Sequence, residues 1–169
     1  MDTSARPRIA AAFVLVVGLA TILGAWAFQI FGGFLPCALC LEQRWPYYIG
    51  LPVALIALVS ALAGGPAWLT RGALVITGII FAYGAYLGIF HAGVEYAWWE
   101  GPADCAITSG PVTGTGGNLL DQIEDIRVVS CTEASWRFPD AWGLSFAGWN
   151  AAISVVLAAV AFGGAMRKA

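Results

Sequence analysis

The chain has 169 residues, of which 60% are hydrophobic and 11% charged, and its mean hydropathy is +0.79. This composition excludes an ordinary water-soluble core and is typical of a protein of the lipid bilayer. The formal net charge of −2 gives no electrostatic reason to expect a nucleic acid as a partner.

Four uncharged stretches are each long enough to cross a bilayer as a helix. At about 1.5 Å per residue, the first, at residues 9–31, covers a hydrocarbon core of roughly 30 Å. The others lie at about residues 45–63, 72–90 and 142–165. Together they predict an all-α membrane protein, a four-transmembrane-helix bundle that forms a single membrane domain over residues 1–169.

Three connections join these stretches. Residues 64–71 contain a Gly-Gly-Pro turn, which predicts a tight hairpin between the second and third helices. At the other end of the bundle, a short loop occupies residues 32–44 and a long loop residues 91–141. The long loop is too small for a separate domain, and we expect it to form a lid on the bundle.

The middle of the long loop contains two further patterns. Glycine is frequent at residues 110–117, which predicts a flexible chain. Apolar residues at 119–126 follow helical spacing and indicate a short helix. That helix would lie either along the membrane surface or, solvated, against the lid, and the sequence favours neither arrangement.

Basic residues are more frequent at the end of the bundle that holds the termini and the hairpin. Five lie there, Arg6, Arg8, Arg71, Arg167 and Lys168, against Arg44, Arg127 and Arg137 at the opposite end. Because cytoplasmic loops are enriched in Lys and Arg, both termini are predicted to be cytoplasmic, and all four cysteines then face the periplasm. A cleavable signal peptide ending near Ala27 is the alternative for the first span, and it would leave the cysteines on the same side.

The four cysteines form two pairs in the sequence. Cys37 and Cys40 have a Cys-x-x-Cys spacing, which suits a strained disulfide or a thiolate of low pKa. Cys105 and Cys131 bracket the glycine-rich segment, and a bridge in a flexible loop favours thiol exchange. Two alternatives stay open, namely two structural disulfides and a metal site that would add His91, the only histidine. We expect no metal.

Residues 35–40 (LPCALC) and 42–47 (EQRWPY) precede and open the second span, and HAGVE at 91–95 and the segment 131–137 flank the later ones. With four spans and a second cysteine pair, these segments resemble the DsbB family of disulfide bond formation proteins over nearly the whole chain. The vitamin K epoxide reductase group shares a four-helix bundle and a quinone-coupled Cys-x-x-Cys motif but places that motif late in the chain, whereas here it follows the first span.

The resemblance implies a thiol oxidase of the bacterial inner membrane that reoxidises a DsbA-like periplasmic protein with a thioredoxin fold. It also implies a quinone cofactor, ubiquinone or menaquinone, from the respiratory pool in the lipid. In the family's relay, the reduced partner attacks Cys105, and Cys131 leaves and exchanges onto Cys37. Cys40, released as a thiolate, donates to the quinone and closes the disulfide with Cys37 again. We expect a monomer that binds no nucleic acid.

Two further residues are predicted to contact the quinone. Arg44, four residues after Cys40, would stabilise a thiolate and a developing quinone anion, unless it simply extends to the headgroups at a helix start. His91 follows the third span, and the resemblance suggests a hydrogen bond to a quinone carbonyl; its alternative is a bond to backbone. Weaker candidates are Gln43, Glu95 and Asn150.

The motif alone does not fix the direction of electron flow, because direction depends on redox potentials and partners. A quinone-coupled thiol reductase working in reverse is therefore the first alternative to the oxidase. A structural membrane protein whose cysteines are stapling disulfides is the second.

Overall fold

The computed structural model describes residues 5–102, 127–128, 131–134, 136–139 and 143–166. In chain order the elements are α1 (Ala5–Ile30), β1 (Phe34–Leu35), α2 (Ala38–Glu42), α3 (Trp45–Leu62), α4 (Ala67–Glu95), β2 (Arg127–Val128), β3 (Arg137–Phe138), β4 (Leu144–Ser145) and α5 (Phe146–Ala165). The glycine-rich segment 110–117, the predicted helix at 119–126 and Cys105 lie outside the described residues.

Four helical segments among the described residues are long and apolar enough to cross a membrane: Ala5–Ile30, Ala38–Leu62, Ala67–Glu95 and Phe146–Ala165. Large apolar side chains such as Val16, Leu62 and Ile79 are exposed on their outer faces, where lipid would cover them. The predicted four-helix membrane bundle is therefore confirmed.

The helices extend beyond the uncharged stretches. Helix α4 runs over Ala67–Glu95, whereas the sequence predicted a span at 72–90, so His91 lies in the helix and not in the loop. The short helix α2 likewise precedes the predicted second span and includes Cys40. Hydropathy marks the hydrocarbon core only, whereas backbone hydrogen bonding continues a helix to the level where polar side chains reach the headgroups.

Local capping explains several helix ends. Ser145 caps α5, because its Oγ accepts a hydrogen bond from the backbone N–H of Gly148 at 3.2 Å. Pro46 lies in the first turn of α3, where no intrahelical N–H bond is lost. The hairpin before α4 turns at Gly64, whose φ of +70° is a conformation that side chains disfavour. The predicted start of the fourth span at Trp142 lies outside the described residues.

The four long helices form a ring in which each packs on two neighbours. Helix α4 has its most extensive contact with α5 and a second with α3, and α1 closes the ring against α3 and α5. The largest core cluster combines Val14, Ile22, Tyr47, Ala54, Phe81, Leu157, Ala158 and Ala161. Small residues allow the backbones of α4 and α5 to approach closely, as is usual between membrane helices.

Two short strand pairs fasten the loops to one end of the bundle. Strand β1 pairs in parallel with β2, with Phe34 opposite Arg127. Strand β3 pairs antiparallel with β4, with Phe138 opposite Leu144, directly before α5 begins. These pairs hold parts of the short and long loops beside the N-terminal end of α2, which carries the Cys-x-x-Cys motif. We call this the cysteine end of the bundle.

Replacing Gly88 by Ala should destabilise the bundle. A Cβ at Gly88 would lie 2.7 Å from the backbone nitrogen of Ala151 on α5, too close without a shift of the helices. We expect Gly88→Ala to lower the free energy of unfolding by about 1–3 kcal/mol, measured by denaturation in detergent micelles with circular dichroism. The matched control is Gly72→Ala on the same helix, where a Cβ meets nothing within 4 Å. Equal effects of the two substitutions would contradict this packing argument.

Candidate functional site

The Cys-x-x-Cys motif lies where the short helix α2 begins. Cys37 is the N-cap residue, and its Sγ accepts a hydrogen bond from the backbone N–H of Cys40 at 3.2 Å. This geometry follows from the spacing, since an N-cap side chain reaches the N–H three residues later. The two sulfurs, both free thiols, are 2.7 Å apart. A disulfide at about 2.05 Å therefore needs only a small further approach.

Cys131 from the long loop packs against this motif. It is completely buried and disulfide-bonded. The Sγ of Cys37, the Sγ of Cys131 and a ring nitrogen of His91 all lie within 4.8 Å of one another. Such atoms could ligate a metal ion, but a sulfur in a disulfide is not the thiolate that metals bind. The arrangement is instead that of a thiol beside a disulfide, the reactants of thiol–disulfide exchange.

His91 is buried between the motif and the bundle core. Its Nε2 lies 3.9 Å from the Sγ of Cys37, and its Nδ1 lies 2.5 Å from the side-chain nitrogen of Gln43. For this histidine the sequence left open a quinone contact, a backbone contact and a place in a metal site. The structure adds a contact with Cys37. This contact forms because α4 continues past the predicted span and presents His91 to α2.

The surroundings of Cys37 favour its thiolate. The pKa of Cys37 is lowered from an ordinary 9.0 to about 5, and the largest cause is the hydrogen bond with the Cys40 thiol. Burial opposes this change, while the hydrogen bond with His91 also lowers the pKa. At neutral pH the buried sulfur of Cys37 is therefore a nucleophilic thiolate next to Cys131.

A cavity of about 320 Å³ opens beside Cys40, among α1, α3 and α5. Its volume falls within the usual range for small-molecule sites. The polar side chains on its wall belong to Thr21, Gln29, Cys40, Gln43, Arg44, Tyr47, His91 and Asn150. Most of the remaining wall is aliphatic or aromatic. The cavity thus combines an apolar body with a few convergent polar groups, one of them a thiol of the motif.

Aromatic rings form the wall of the cavity near the loops. Trp136 from the long loop stacks on Phe146 of α5, with ring centroids 4.6 Å apart. Phe28 of α1 meets the edge of Phe146 at 4.9 Å, and Phe34 of β1 contacts both phenylalanines. Sequence reasoning had assigned these aromatics no role, because they come from four separate segments and only the fold assembles them.

Arg44 lies at the junction between α2 and α3, on the cavity wall with Cys40. Its Nη1 donates a hydrogen bond to Oε1 of Gln29 at 2.7 Å, and its guanidinium lies 5.9 Å from the ring of Trp26. The half-buried cation is thus held against α1. Gln29 was missed from the sequence, although a lone amide in an apolar span is the kind of signal that marks a functional site.

The three weaker candidates occupy different places. Gln43 and Asn150 line the cavity, and Asn150 Nδ2 donates to Gln43 Oε1 at 2.7 Å. Glu95 does not line the cavity but accepts a hydrogen bond from the hydroxyl of Ser145, the cap of α5. The structure therefore brings together Cys37, Cys40, Cys131, Arg44 and His91, while Cys105 lies outside the described residues.

A family model described as disulfide bond formation protein DsbB matches residues 7–163 of the chain. The matched region includes all four long helices except a few terminal residues, and both cysteine pairs. It confirms the resemblance found in the sequence. Neither a search of curated proteins nor a search of solved structures found a match.

The stability of the reduced protein should fall in mild acid because of Cys37. Its pKa is about 5 in the folded protein against an ordinary 9.0. A group whose pKa is depressed by folding stabilises the protein above its unfolded pKa, and this contribution is lost as pH falls toward the folded pKa. Between about pH 7 and about pH 5 we expect a loss of about 2 kcal/mol, measured by denaturation in micelles. Cys37→Ala should lack this component, and an unchanged pH dependence in that variant would refute the assignment.

Proposed function

Because the chain belongs to the DsbB family of disulfide bond formation proteins, we propose that it is a membrane thiol oxidase that reoxidises a DsbA-like periplasmic dithiol protein and passes two electrons to a membrane quinone. The observation that carries this proposal is the position of Cys37 between two sulfurs. Cys40 lies 2.7 Å away, and the disulfide-bonded Cys131 lies within 4.8 Å. Cys40 in turn opens on the apolar cavity.

This arrangement supports a relay of disulfide exchange. When one thiolate of the reduced partner attacks Cys105, a mixed disulfide forms between the partner and Cys105, the Cys105–Cys131 bond breaks and Cys131 leaves as a thiolate. Cys131 then attacks Cys37 of the Cys37–Cys40 disulfide, forming a bond between Cys131 and Cys37 and releasing Cys40 as a thiolate. The partner's second thiolate breaks the mixed disulfide, which leaves the partner oxidised and Cys105 as a thiolate. The assignment of Cys105 as the first site of attack rests on the family resemblance. The contact between Cys37 and Cys131 supports the second exchange in either direction.

The low pKa of Cys37 also bears on oxidising power. A thiolate that is stabilised in the reduced protein makes the corresponding disulfide easier to reduce, and DsbA itself is a strong oxidant for this reason. An ordinary structural disulfide would be too stable to oxidise such a partner. The hydrogen bond from Cys40 and the contact with His91 therefore favour Cys37–Cys40 as an oxidising pair.

The cavity fits a quinone by its donor set and shape. When bound, a quinone supplies a two-electron, two-proton acceptor. The flat aromatic wall, including Trp136 and Phe146, suits a planar ring. Arg44 provides a fixed cation for negative charge that develops on an oxygen, and His91 provides a ring nitrogen on the same wall. The thiol of Cys40 is the electron donor that this wall presents.

The reverse direction, a quinone-coupled reductase, would use the same atoms. The two directions differ only in the relative potentials of the partner, the two cysteine pairs and the quinone. A purely structural role for the cysteines is less well supported. A thiolate of low pKa held beside a disulfide is a reactive arrangement, whereas a staple needs no free thiolate.

The decisive experiment is anaerobic stopped-flow mixing of the quinone-loaded protein with a reduced DsbA-type protein. We expect quinone absorbance to decrease in proportion to the partner added. Cys40→Ser should abolish quinone reduction while still forming a mixed disulfide with the partner, because Cys105 and Cys131 are intact. Persistent quinone absorbance in the unaltered protein would contradict the oxidase, and faster transfer from quinol to an oxidised partner would favour the reductase.

Arg44 should be required for quinone binding. We expect Arg44→Leu to raise the KM for a soluble quinone analogue about tenfold or more, because a hydrogen bond from the guanidinium to an oxygen of the bound quinone is lost. The matched control is Arg71→Leu on α4, a residue that does not line the cavity. A KM that rises equally in both variants would show that the effect is not specific to the cavity.

A further inference from the structure

The polar groups behind His91 form a connected line from the bundle core to the motif. The hydroxyl of Tyr47 donates to Oδ1 of Asn150 at 2.8 Å. Nδ2 of Asn150 donates to Oε1 of Gln43 at 2.7 Å, and the side-chain nitrogen of Gln43 lies 2.5 Å from Nδ1 of His91. Gln43 itself is only 7% exposed. A buried amide has few alternative partners, so this line fixes its orientation.

The directions of these hydrogen bonds determine where the proton of His91 lies. The Tyr47 hydroxyl is a donor to Asn150, so the amide of Asn150 must present its N–H₂ to Gln43. The oxygen of Gln43 is thereby occupied, and its N–H₂ group faces His91. A ring nitrogen that accepts from an amide carries no proton, so the neutral imidazole is protonated at Nε2. That N–H lies on the side of Cys37, 3.9 Å from its sulfur.

We propose that Gln43, oriented by Asn150 and Tyr47, is a positioning residue that holds His91 in the Nε2–H tautomer, so that the histidine is a hydrogen-bond donor to the Cys37 thiolate. In the opposite tautomer a lone pair on Nε2 would face the sulfur and favour the neutral thiol. The inference deepens the proposed function and rests on it for its catalytic meaning, but the tautomer itself does not depend on any quinone or partner.

Within the described part of the chain, several charged or titratable groups act on Cys37. Cys40 on α2 and His91 on α4 favour the thiolate. Glu95, one turn beyond His91, repels it, and Glu95 is itself attracted by Arg137. Cys131 does not titrate because it is disulfide-bonded. None of these groups accepts a hydrogen bond from Gln43 except His91, so a change at Gln43 reaches Cys37 through the histidine.

The test measures how the midpoint potential of the Cys37–Cys40 pair depends on pH. It uses the full-length protein in micelles, without quinone or partner. Thiol redox buffers set the potential, and acid trapping with peptide mass spectrometry reads the pair. Each proton taken up in this two-electron reduction adds about 29.6 mV per pH unit. The slope therefore changes from about 59 to about 30 mV per pH unit where Cys37 becomes a thiolate.

We expect Gln43→Leu to raise the pH at which the slope changes by about one to two pH units. Asn150→Leu, which removes the group that orients Gln43, should move it in the same direction and provides a second test if the first variant folds poorly. The matched control is Thr77→Val, which removes a buried hydroxyl of α4 that bonds to the carbonyl of Ala73 and does not line the cavity. It should leave that pH unchanged.

A double substitution decides whether Gln43 acts through the histidine. His91→Phe alone should raise the pH at which the slope changes, and adding Gln43→Leu to it should cause no further rise in that pH. The proposal would be overturned if the pH of the slope change stayed the same in both Gln43→Leu and Asn150→Leu. It would also be overturned if Gln43→Leu raised that pH equally in the presence of His91 and in the His91→Phe background. Because the assay contains no quinone, these outcomes are independent of quinone reduction, and failure of the oxidase proposal would appear only in the stopped-flow experiment.

Discussion

A buried thiolate at the edge of the bilayer is the constraint on which the rest of the cysteine end depends. Removing a charge from water is costly unless polar groups compensate for it. Cys37 is almost completely buried, and its compensation comes from the Cys40 thiol, the backbone of α2 and His91. Each of these groups must be held in place, and the helix packing and loop contacts of the bundle hold them.

The fold holds these groups in place in three ways. Close contact between α4 and α5, through residues such as Gly88 and Ala151, fixes the end of α4 that carries His91. The line of amides from Asn150 to Gln43 then links α5 to the motif across the core. The two strand pairs, in turn, hold the loops over the same end. Packing between the helices thus positions the groups that lower the pKa of Cys37.

The site also separates two chemical environments at the motif. On one side Cys37 meets Cys131 in a small buried cluster with Leu39 and Val94, which keeps water away from the two sulfurs. On the other side Cys40 faces an apolar cavity with a cation and aromatic walls. Because the sulfurs of the two thiols are only 2.7 Å apart, the proposed relay would need no long-range electron transfer between the two environments.

The sequence by itself determined the four spans, the pairs of cysteines, the family, and the candidate roles of Arg44 and His91. These features depend on local composition, and on motifs whose chemistry is set by residue type and spacing. Only the tertiary structure decided that His91 contacts Cys37, that Cys131 lies beside it, and that Gln43 and Asn150 form one line with the histidine. Those contacts join residues from separate helices and loops. Which residues meet depends on how α4 and α5 pack and on where α2 begins. Hydropathy and residue spacing within one segment carry no information about either.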